Sequence, residues 1–550
     1  TNDLLAINEK DARRFQMAIF QKKGREIRVA LSDPFNQNAL DFLKKLENDN
    51  GWTIKQYVAS NASLERAWSL YKKAPFLDQL DVFKVSLSGN DLEKFEHDFG
   101  DLIQLKSRIT ETPTTEIIQV ILAGAVKLGA SDIHFEVQES EIRLRYRIDG
   151  ILQDIGQLPD TVYHSVVSRV KMLGKMKLNI RDRAQDGHFS ITLDEKRIDI
   201  RVNIIPSNRG ESINMRLLDQ SATSVSVPEL GLRGLAFEQV QKHIAKPNGL
   251  VLNTGPTGSG KTTTLYALLN SLNQTGTKII TIEDPVEYEI KGIVQTQVSK
   301  NRDYTFAQGL RSIVRQDPDV ILVGEIRDEE TADIAINAAL TGHLVLSTFH
   351  TNNAAGAIPR FVEMGVKPNV LAPAATCFIA QRLVRKLCTH CREAYEPAEE
   401  TIDSLKEILS LISPKAQVEI PKNISQLYRA NGCAQCHFTG YKGRIGIFEV
   451  LTVSQSIQEL ILAMANEMQI MQAALEEGMV TMTQDGILKA VDGTTSLEEV
   501  WRVTGENDFL KEIYQRLMEQ TLSRSFTVTE AIWNDTKTHV SSFDTLAEYI

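Results

Sequence analysis

The stretch GLVLNTGPTGSGKTTTLYALL, at residues 249–269, decides the fold class. A short apolar run leads into a loop in which Gly255 is followed, after four residues, by Gly-Lys-Thr at 260–262. Small residues let backbone N–H groups curl around phosphate oxygens, and the helix that follows offers the positive end of its dipole. Lys261 is placed to reach the β- and γ-phosphates of a nucleotide, and Thr262 to bind Mg²⁺. The predicted nucleotide-binding residues of the loop are Gly255, Pro256, Thr257, Gly258, Ser259, Gly260, Lys261, Thr262 and Thr263.

Three carboxylates cluster at the end of the next predicted strand. In KIITIEDPVEY the apolar run ends at Glu283 and Asp284, and Glu287 follows. Carboxylates crowded at a strand end repel one another unless a cation or a polarised water lies between them. The cluster therefore predicts a site for Mg²⁺ and a general base, with Glu283 and Asp284 close to the nucleotide. In isolation, the same residues would also suit a solvated acidic turn.

A third apolar run, in VRQDPDVILVGEIRD at residues 314–328, reaches its first acid at Glu325. Glutamate carries the same charge as aspartate on a longer side chain, so we expect Glu325 to hold Mg²⁺ through a water. That arrangement is ordinary for an ion that keeps much of its hydration shell. The run TGHLVLSTFHTN follows, with His343 and His350 at its two ends. We expect His350 to sense the γ-phosphate, whereas His343 suits a structural role equally well.

The order of apolar segments predicts the domain organisation. Strands alternate with helices after residue 229, which predicts a parallel sheet with helices on both faces and an α/β fold. Strictly alternating segments further upstream, such as EIRLRYRIDGIL, predict half-buried strands. The predicted parts are a partial first α/β domain (1–78), a linker (79–112), a second domain (113–228), the core with the phosphate loop (229–383), a cysteine module (384–448), and a helical region with a tail (449–550).

Four of the five cysteines form two tight pairs, Cys388 with Cys391 and Cys433 with Cys436, separated by 41 residues. Two residues between cysteines let both thiolates reach one ion, and two such pairs make a closed tetrahedral site that favours Zn²⁺. The long separation predicts a helical excursion between the pairs. The alternative is a set of unrelated reduced cysteines. Cys377, in an apolar run, is most simply a small core residue.

Composition narrows the classes of function. A net charge of −10 and a pI near 5.6 argue against broad nucleic-acid binding. No apolar run reaches the roughly 20 residues that a membrane-spanning helix needs. The first residues also lack the apolar stretch of a signal peptide. We therefore expect a cytoplasmic protein that contacts a membrane only through protein partners.

The motifs GPTGSGKTTT, TIEDPVEY, DPDVILVGEIRD and TGHLVLSTFHTN, in this order, resemble those of the secretion ATPases that power type II secretion and type IV pilus assembly. ASDIHFE, RYRIDG, QDG and RLLD resemble the second N-terminal domain of that family. The resemblance implies a RecA-like P-loop domain preceded by a PAS-like α/β domain. It also implies a homo-hexamer that uses ATP and Mg²⁺, with an inner-membrane platform protein and a cytoplasmic-face adaptor as partners. By the same resemblance Glu287 is the general base, Glu325 is the acid linked to Mg²⁺, and His350 is the histidine of the family's His box motif.

Arginines of the family's preceding domain move onto the phosphates, and the matching positions here are Arg201 and Arg216. Arginine suits this task because its planar guanidinium can donate two hydrogen bonds to phosphate oxygens and always keeps its positive charge. Arg311 and Arg315 match further arginines near the nucleotide interface. One position departs from the pattern, because the family usually has arginine after QDG and this chain has His188. We assign His188 no catalytic role.

The resemblance implies an ATPase that drives pilin polymerisation into a type IV pilus. Assembly members of the family carry the four-cysteine module and retraction members lack it. A type II secretion ATPase that powers pseudopilus assembly has the same motifs and remains an alternative. Two other classes are a DNA-handling motor, which the acidic pI disfavours, and a nucleotide-gated scaffold with negligible turnover. The intact Lys261, Glu287 and Glu325 argue against the scaffold.

Overall fold

The structure, a computed structural model, describes most of the chain between residues 9 and 505. The described ranges are 9–23, 26–50, 52–69, 85–87, 117–139, 141–193, 196–219, 225–299 and 304–505, with the single residues 4, 7 and 71. Apart from residues 85–87, the predicted linker over 79–112 lies outside these ranges. The predicted tail beyond residue 505 lies outside them as well.

A three-stranded sheet forms the N-terminal unit. Its elements are α1 (Glu9–Arg14), β1 (Met17–Lys23), β2 (Glu26–Leu31), α2 (Gln37–Asn50), β3 (Thr53–Val58) and α3 (Asn61–Ser69). β2 lies in the centre, antiparallel to β1 and parallel to β3. Side chains of β2 alternate between buried and half-buried, which follows from the period of two in its sequence.

A second, seven-stranded sheet follows. Its elements are β4 (Val85–Leu87), α4 (Ile117–Lys127), β5 (Ala130–Val137), β6 (Ile142–Ile148), β7 (Ile151–Leu158), α5 (Asp160–Leu173), β8 (Gln185–Leu193), β9 (Lys196–Ser207) and β10 (Gly210–Asp219). The strand order is β4-β8-β9-β10-β5-β6-β7, and every pair is antiparallel except β4 with β8. β4 belongs to the segment predicted as a linker, so this part of the segment is sheet. One face of the sheet packs against α4 and α5 around Ile121, Phe135 and Val170.

The opposite face of the second sheet is polar. Buried and partly exposed side chains alternate along β6, so its three arginines face away from the core. Register places His188 opposite Arg201, Arg201 opposite Arg216, and Arg216 opposite Asp132. These four residues, one from each of four neighbouring strands, make a cross-strand row. The row contains both arginines predicted to reach the phosphates.

A third sheet carries the phosphate loop. Its elements are α6 (Gly234–Ile244), β11 (Gly249–Thr254), α7 (Lys261–Leu272), β12 (Ile279–Glu283), β13 (Val294–Gln297), α8 (Phe306–Val314), β14 (Val320–Val323), α9 (Glu329–Leu340), β15 (Leu344–Phe349), α10 (Ala357–Glu363), α11 (Pro368–Ala374) and β16 (Ala375–Leu387), completed by β19 (Tyr441–Thr452). The order is β13-β12-β14-β15-β11-β16-β19, parallel except for the pair β16 with β19. β11, β14 and β15 are buried along their whole length, as strands covered on both faces must be. The predicted α/β class is confirmed.

The cysteine segment is an insertion between two strands of this sheet. It contains β17 (Glu393–Tyr395), α12 (Glu399–Ser410) and β18 (Leu427–Arg429). Between β19 and residue 505 the structure has four helices, namely α13 (Gln455–Leu462), α14 (Glu467–Glu476), α15 (Met482–Val491) and α16 (Leu497–Thr504). The predicted domain boundaries after residues 383 and 448 fall inside β16 and β19. The hydrogen bonds between these two strands continue on both sides of each boundary. Among the described residues, no helix is both long enough and apolar enough to cross a membrane.

Candidate functional site

The phosphate loop connects β11 to α7 at the carboxyl edge of the third sheet. Gly255 and Gly260 adopt φ values of 145° and 90°, which favour glycine. A Cβ on Gly255 would lie 2.5 Å from the carbonyl oxygen of Gln381, and one on Gly260 would lie 2.9 Å from Nε2 of the same residue. Gly255 is therefore required by the close approach of the β16 backbone, and both glycines are favoured by the turn.

Lys261 folds back over this loop. Its Nζ donates to the carbonyl oxygens of Gly255 at 2.7 Å and of Pro256 at 3.0 Å. Burial lowers the pKa of Lys261 to about 8; the charge of Glu325 opposes this shift and that of Arg382 adds to it. A bound phosphate would raise the pKa of Lys261 again, since an adjacent anion favours the protonated amine.

Gln381 on β16 supports the loop from behind. Its Oε1 accepts from Nδ2 of Asn253 at 3.1 Å and from Oγ1 of Thr264 at 2.8 Å, and all three side chains are buried. Asn253 precedes the loop and Thr264 lies in the first turn of α7, so Gln381 ties the two ends of the loop together. The sequence motifs missed Gln381. Its one signal is a polar residue inside the apolar run ATCFIAQRLV.

Glu325 lies at the end of β14, between two basic groups. Its Oε1 is 2.5 Å from Nη2 of Arg327, and its Oε2 is 3.7 Å from Nε2 of His350. Burial lowers the pKa of His350, with the charge of Lys261 acting in the same direction. The loop after His350 is tied to β11, because the hydroxyls of Thr254 and Thr351 are 2.7 Å apart. The structure thus brings Lys261, Glu325 and His350 together, with Arg327 beside them.

The three predicted carboxylates of the 283–287 segment face different surroundings. Glu283 is buried and accepts hydrogen bonds from Tyr266 and from Thr281, the latter at 2.6 Å. Glu283 is therefore engaged in the interior with a tyrosine of α7, and these contacts do not support its predicted place beside the nucleotide. Asp284 is exposed and Glu287 is half-buried. A repelling cluster is avoided because the chain turns Glu283 inward.

Glu287, the predicted base, is paired with an arginine of the second sheet. Nη1 of Arg201 donates to Oε2 of Glu287 at 2.7 Å, and Nη2 donates to the carbonyl oxygen of Val286 at 2.7 Å. Arg216, one strand further along the cross-strand row, instead binds Asp132 at 3.0 Å. Arg201 therefore contacts the segment that follows β12 of the third sheet, whereas the hydrogen bond of Arg216 stays within the second sheet.

The remaining predicted residues contact other partners. Arg311 donates to Glu330 on α9 at 2.6 Å, and Arg315 to Ser312 at 3.5 Å, so neither hydrogen bond reaches the phosphate loop. His343 bonds the carbonyl oxygen of Ala338 through Nδ1 at 3.1 Å. That contact supports a structural role for His343.

The two cysteine pairs meet at one point. The Sγ–Sγ distances are 3.9 Å for Cys388 with Cys433, 3.7 Å for Cys391 with Cys436, and 3.8 Å for Cys433 with Cys436. Four thiolates at ~2.3 Å from a central Zn²⁺ lie about 3.8 Å apart in a tetrahedron, whereas a disulfide would need about 2.05 Å. The cluster fits a tetrahedral metal site. Cys377 is buried in the core, away from the cluster, and burial raises its pKa to about 12.

A model of the type II/IV secretion system protein family matches residues 108–502. The chain belongs to this family. It is 44% identical over 397 residues to the type II secretion system ATPase E of Vibrio cholerae, covering 72% of this chain and 76% of that protein. It is 37% identical over 491 residues to the type IV pilus assembly ATPase PilB of Myxococcus xanthus, covering 89% and 84%. The structure of the Legionella pneumophila ATPase DotB has the same fold, with a TM-score of 0.51 at 22% identity over 71% of this chain and 95% of that one.

The oxygen ligands that this secretion-family site offers suit a magnesium nucleotide. Mg²⁺ prefers one or two protein oxygens beside phosphates and water. The hydroxyl of Thr262 is exposed at the start of α7, and Glu325 offers a carboxylate at the end of β14. Thr262 and Glu325 thus offer oxygen ligands suited to Mg²⁺, and Lys261 with the loop N–H groups offers donors suited to the phosphates.

Proposed function

We propose that this chain hydrolyses ATP to drive the assembly of a type IV pilus, as a homo-hexamer on the cytoplasmic face of the inner membrane. An inner-membrane platform protein and an adaptor would be its partners, and Zn²⁺ would occupy the cysteine cluster. The observation that carries the proposal is the meeting of Lys261, Glu325 and His350 beside a phosphate loop, in a chain of the secretion family.

Each residue has one task in the reaction. Lys261 and the loop N–H groups hold the phosphates, and Thr262 with Glu325 would hold Mg²⁺, which neutralises phosphate charge when bound. Glu287 orients the attacking water and accepts its proton. Arg201 now holds Glu287, so its transfer to the phosphates would free the base and deliver a cation in one movement. Arg216 would follow on the adjacent strand.

The first test is Mg²⁺-dependent release of phosphate from ATP by the purified full chain, with the mass of the oligomer recorded. We expect turnover by the assembled protein, and a loss of at least roughly 100-fold in Lys261→Ala, because phosphate positioning and charge compensation both disappear. Lys291→Ala, which removes an exposed lysine, is the matched control. An assembled wild type that binds ATP without releasing phosphate would favour the nucleotide-gated scaffold.

A type II secretion ATPase is the second candidate, supported by the 44% identity to the Vibrio cholerae protein. The alignment with the Myxococcus xanthus pilus ATPase reaches further, over 89% of the chain, and supports the pilus function. Deletion of the gene in its own host separates the two. We expect loss of surface pili with secretion intact; retained pili with secretion lost would select the second candidate.

A further inference from the structure

Arg382 follows Gln381 on β16 and faces the other side of the strand. Gln381 and Leu383 approach the phosphate loop at Gly260, so alternation turns the side chain of Arg382 toward the loop after His350. There its Nη2 is 3.4 Å from Oδ1 of Asn352, a long contact with a neutral amide. Arg382 is half-buried, and burial lowers its pKa.

Other arginines around the site have carboxylate partners. Arg201 pairs with Glu287 at 2.7 Å, Arg327 with Glu325 at 2.5 Å, and Arg216 with Asp132 at 3.0 Å. Across the ranges that the structure describes, no ion pair joins Arg382 to an acidic side chain. A half-buried guanidinium without a counter-charge is costly, because desolvation is not offset by attraction.

The second cation of the site is close by. Arg382 lies near enough to Lys261 to lower the pKa of that amine. Asn352, its amide contact, lies two residues after His350, which in turn approaches Glu325. Arg382 is therefore close both to Lys261 and to the loop that follows His350. Lys261 and Arg382 repel one another in the absence of a ligand. A phosphate bound between them would attract both side chains and offset this repulsion.

We propose that Arg382 binds the γ-phosphate of the ATP held by Lys261, from within the same subunit. This inference rests on the proposed ATP binding. Arg382 differs from Arg201 and Arg216 of the second sheet. Because β16 belongs to the same sheet as the phosphate loop, Arg382 needs no domain movement to reach the ligand. The planar guanidinium can offer two N–H groups to phosphate oxygens while the contact with Asn352 orients it.

The test compares two nucleotides in Arg382→Gln. We measure the affinity of the β,γ-imido analogue of ATP and of ADP, each with Mg²⁺, by titration calorimetry on the full chain. We expect the analogue to bind roughly 10- to 100-fold more weakly, as for loss of a charge-assisted hydrogen bond, with ADP affinity nearly unchanged. Arg382→Lys, which keeps the charge on a different head group, should fall between wild type and Arg382→Gln.

Lys386→Gln is the matched control, because it removes one positive charge from the exposed part of the same strand. It should bind both nucleotides as wild type does. Equal weakening of both nucleotides in Arg382→Gln would overturn the proposal in favour of a structural or general electrostatic role, and unchanged affinity for both would overturn it outright. If wild type bound neither nucleotide, the proposed function would fail first.

Discussion

Glu287→Gln is expected to lower the turnover number for ATP roughly 10²- to 10⁴-fold, the usual contribution of a general base. Glutamine keeps the shape of the side chain and its contact with Arg201, but it accepts no proton from water. Affinity for ATP should change little, since Glu287 lies outside the phosphate loop and its hydrogen bond is to Arg201. The measurement is single-turnover hydrolysis together with equilibrium binding of ATP.

Glu289→Gln is the matched control, since Glu289 is an exposed carboxylate two residues further along. Glu325→Gln should also reduce turnover, but through a weakened response to the concentration of Mg²⁺. Near-wild-type turnover in Glu287→Gln would remove Glu287 as the base and leave Glu325 as the next candidate. Arg201→Gln combined with Glu287→Gln tests their coupling, and we expect the double variant to lose much less than the product of the two single losses.

The second large effect concerns the cysteine cluster. Cys391→Ser is expected to reduce bound Zn²⁺ from about one ion per chain to well below that, because a structural site of four thiolates tolerates no missing ligand. Binding energy at such a site is also folding energy. The segment between Cys388 and Cys436 should therefore become sensitive to proteolysis. Metal content by mass spectrometry and limited digestion measure the two effects.

Cys377→Ala is the control for this experiment. Cys377 is buried in the third sheet and contributes packing only, so this variant should lose some thermal stability and keep its metal. A wild type that carries no metal, or a Cys391→Ser variant with unchanged metal content, would contradict the assignment. The cluster connects β16 to β19, so ATP turnover should also fall when it is broken.

Local patterns were enough to predict much of this protein. The strand and helix around the phosphate loop follow from an apolar run, a glycine-rich turn and a helix start, which are all properties of neighbouring residues. The predicted strand before Glu325 is β14, and each cysteine pair is a tight local turn that lets its two thiols face one ion. The family was also recognisable, because its motifs are short and keep their order along the chain.

Tertiary structure alone decided which of these groups meet. Glu283 and Glu287 stand four residues apart in sequence, yet one is buried against Tyr266 and the other holds Arg201 of a different sheet. Gln381 and Arg382 carry no motif. Gln381 reaches the phosphate loop, and Arg382 the loop after His350, only because β16 pairs with β11 more than a hundred residues away. Sequence determines the period and chemistry of each segment, since these depend on neighbours. Contacts between distant segments depend on strand order and register, which only the assembled sheets establish.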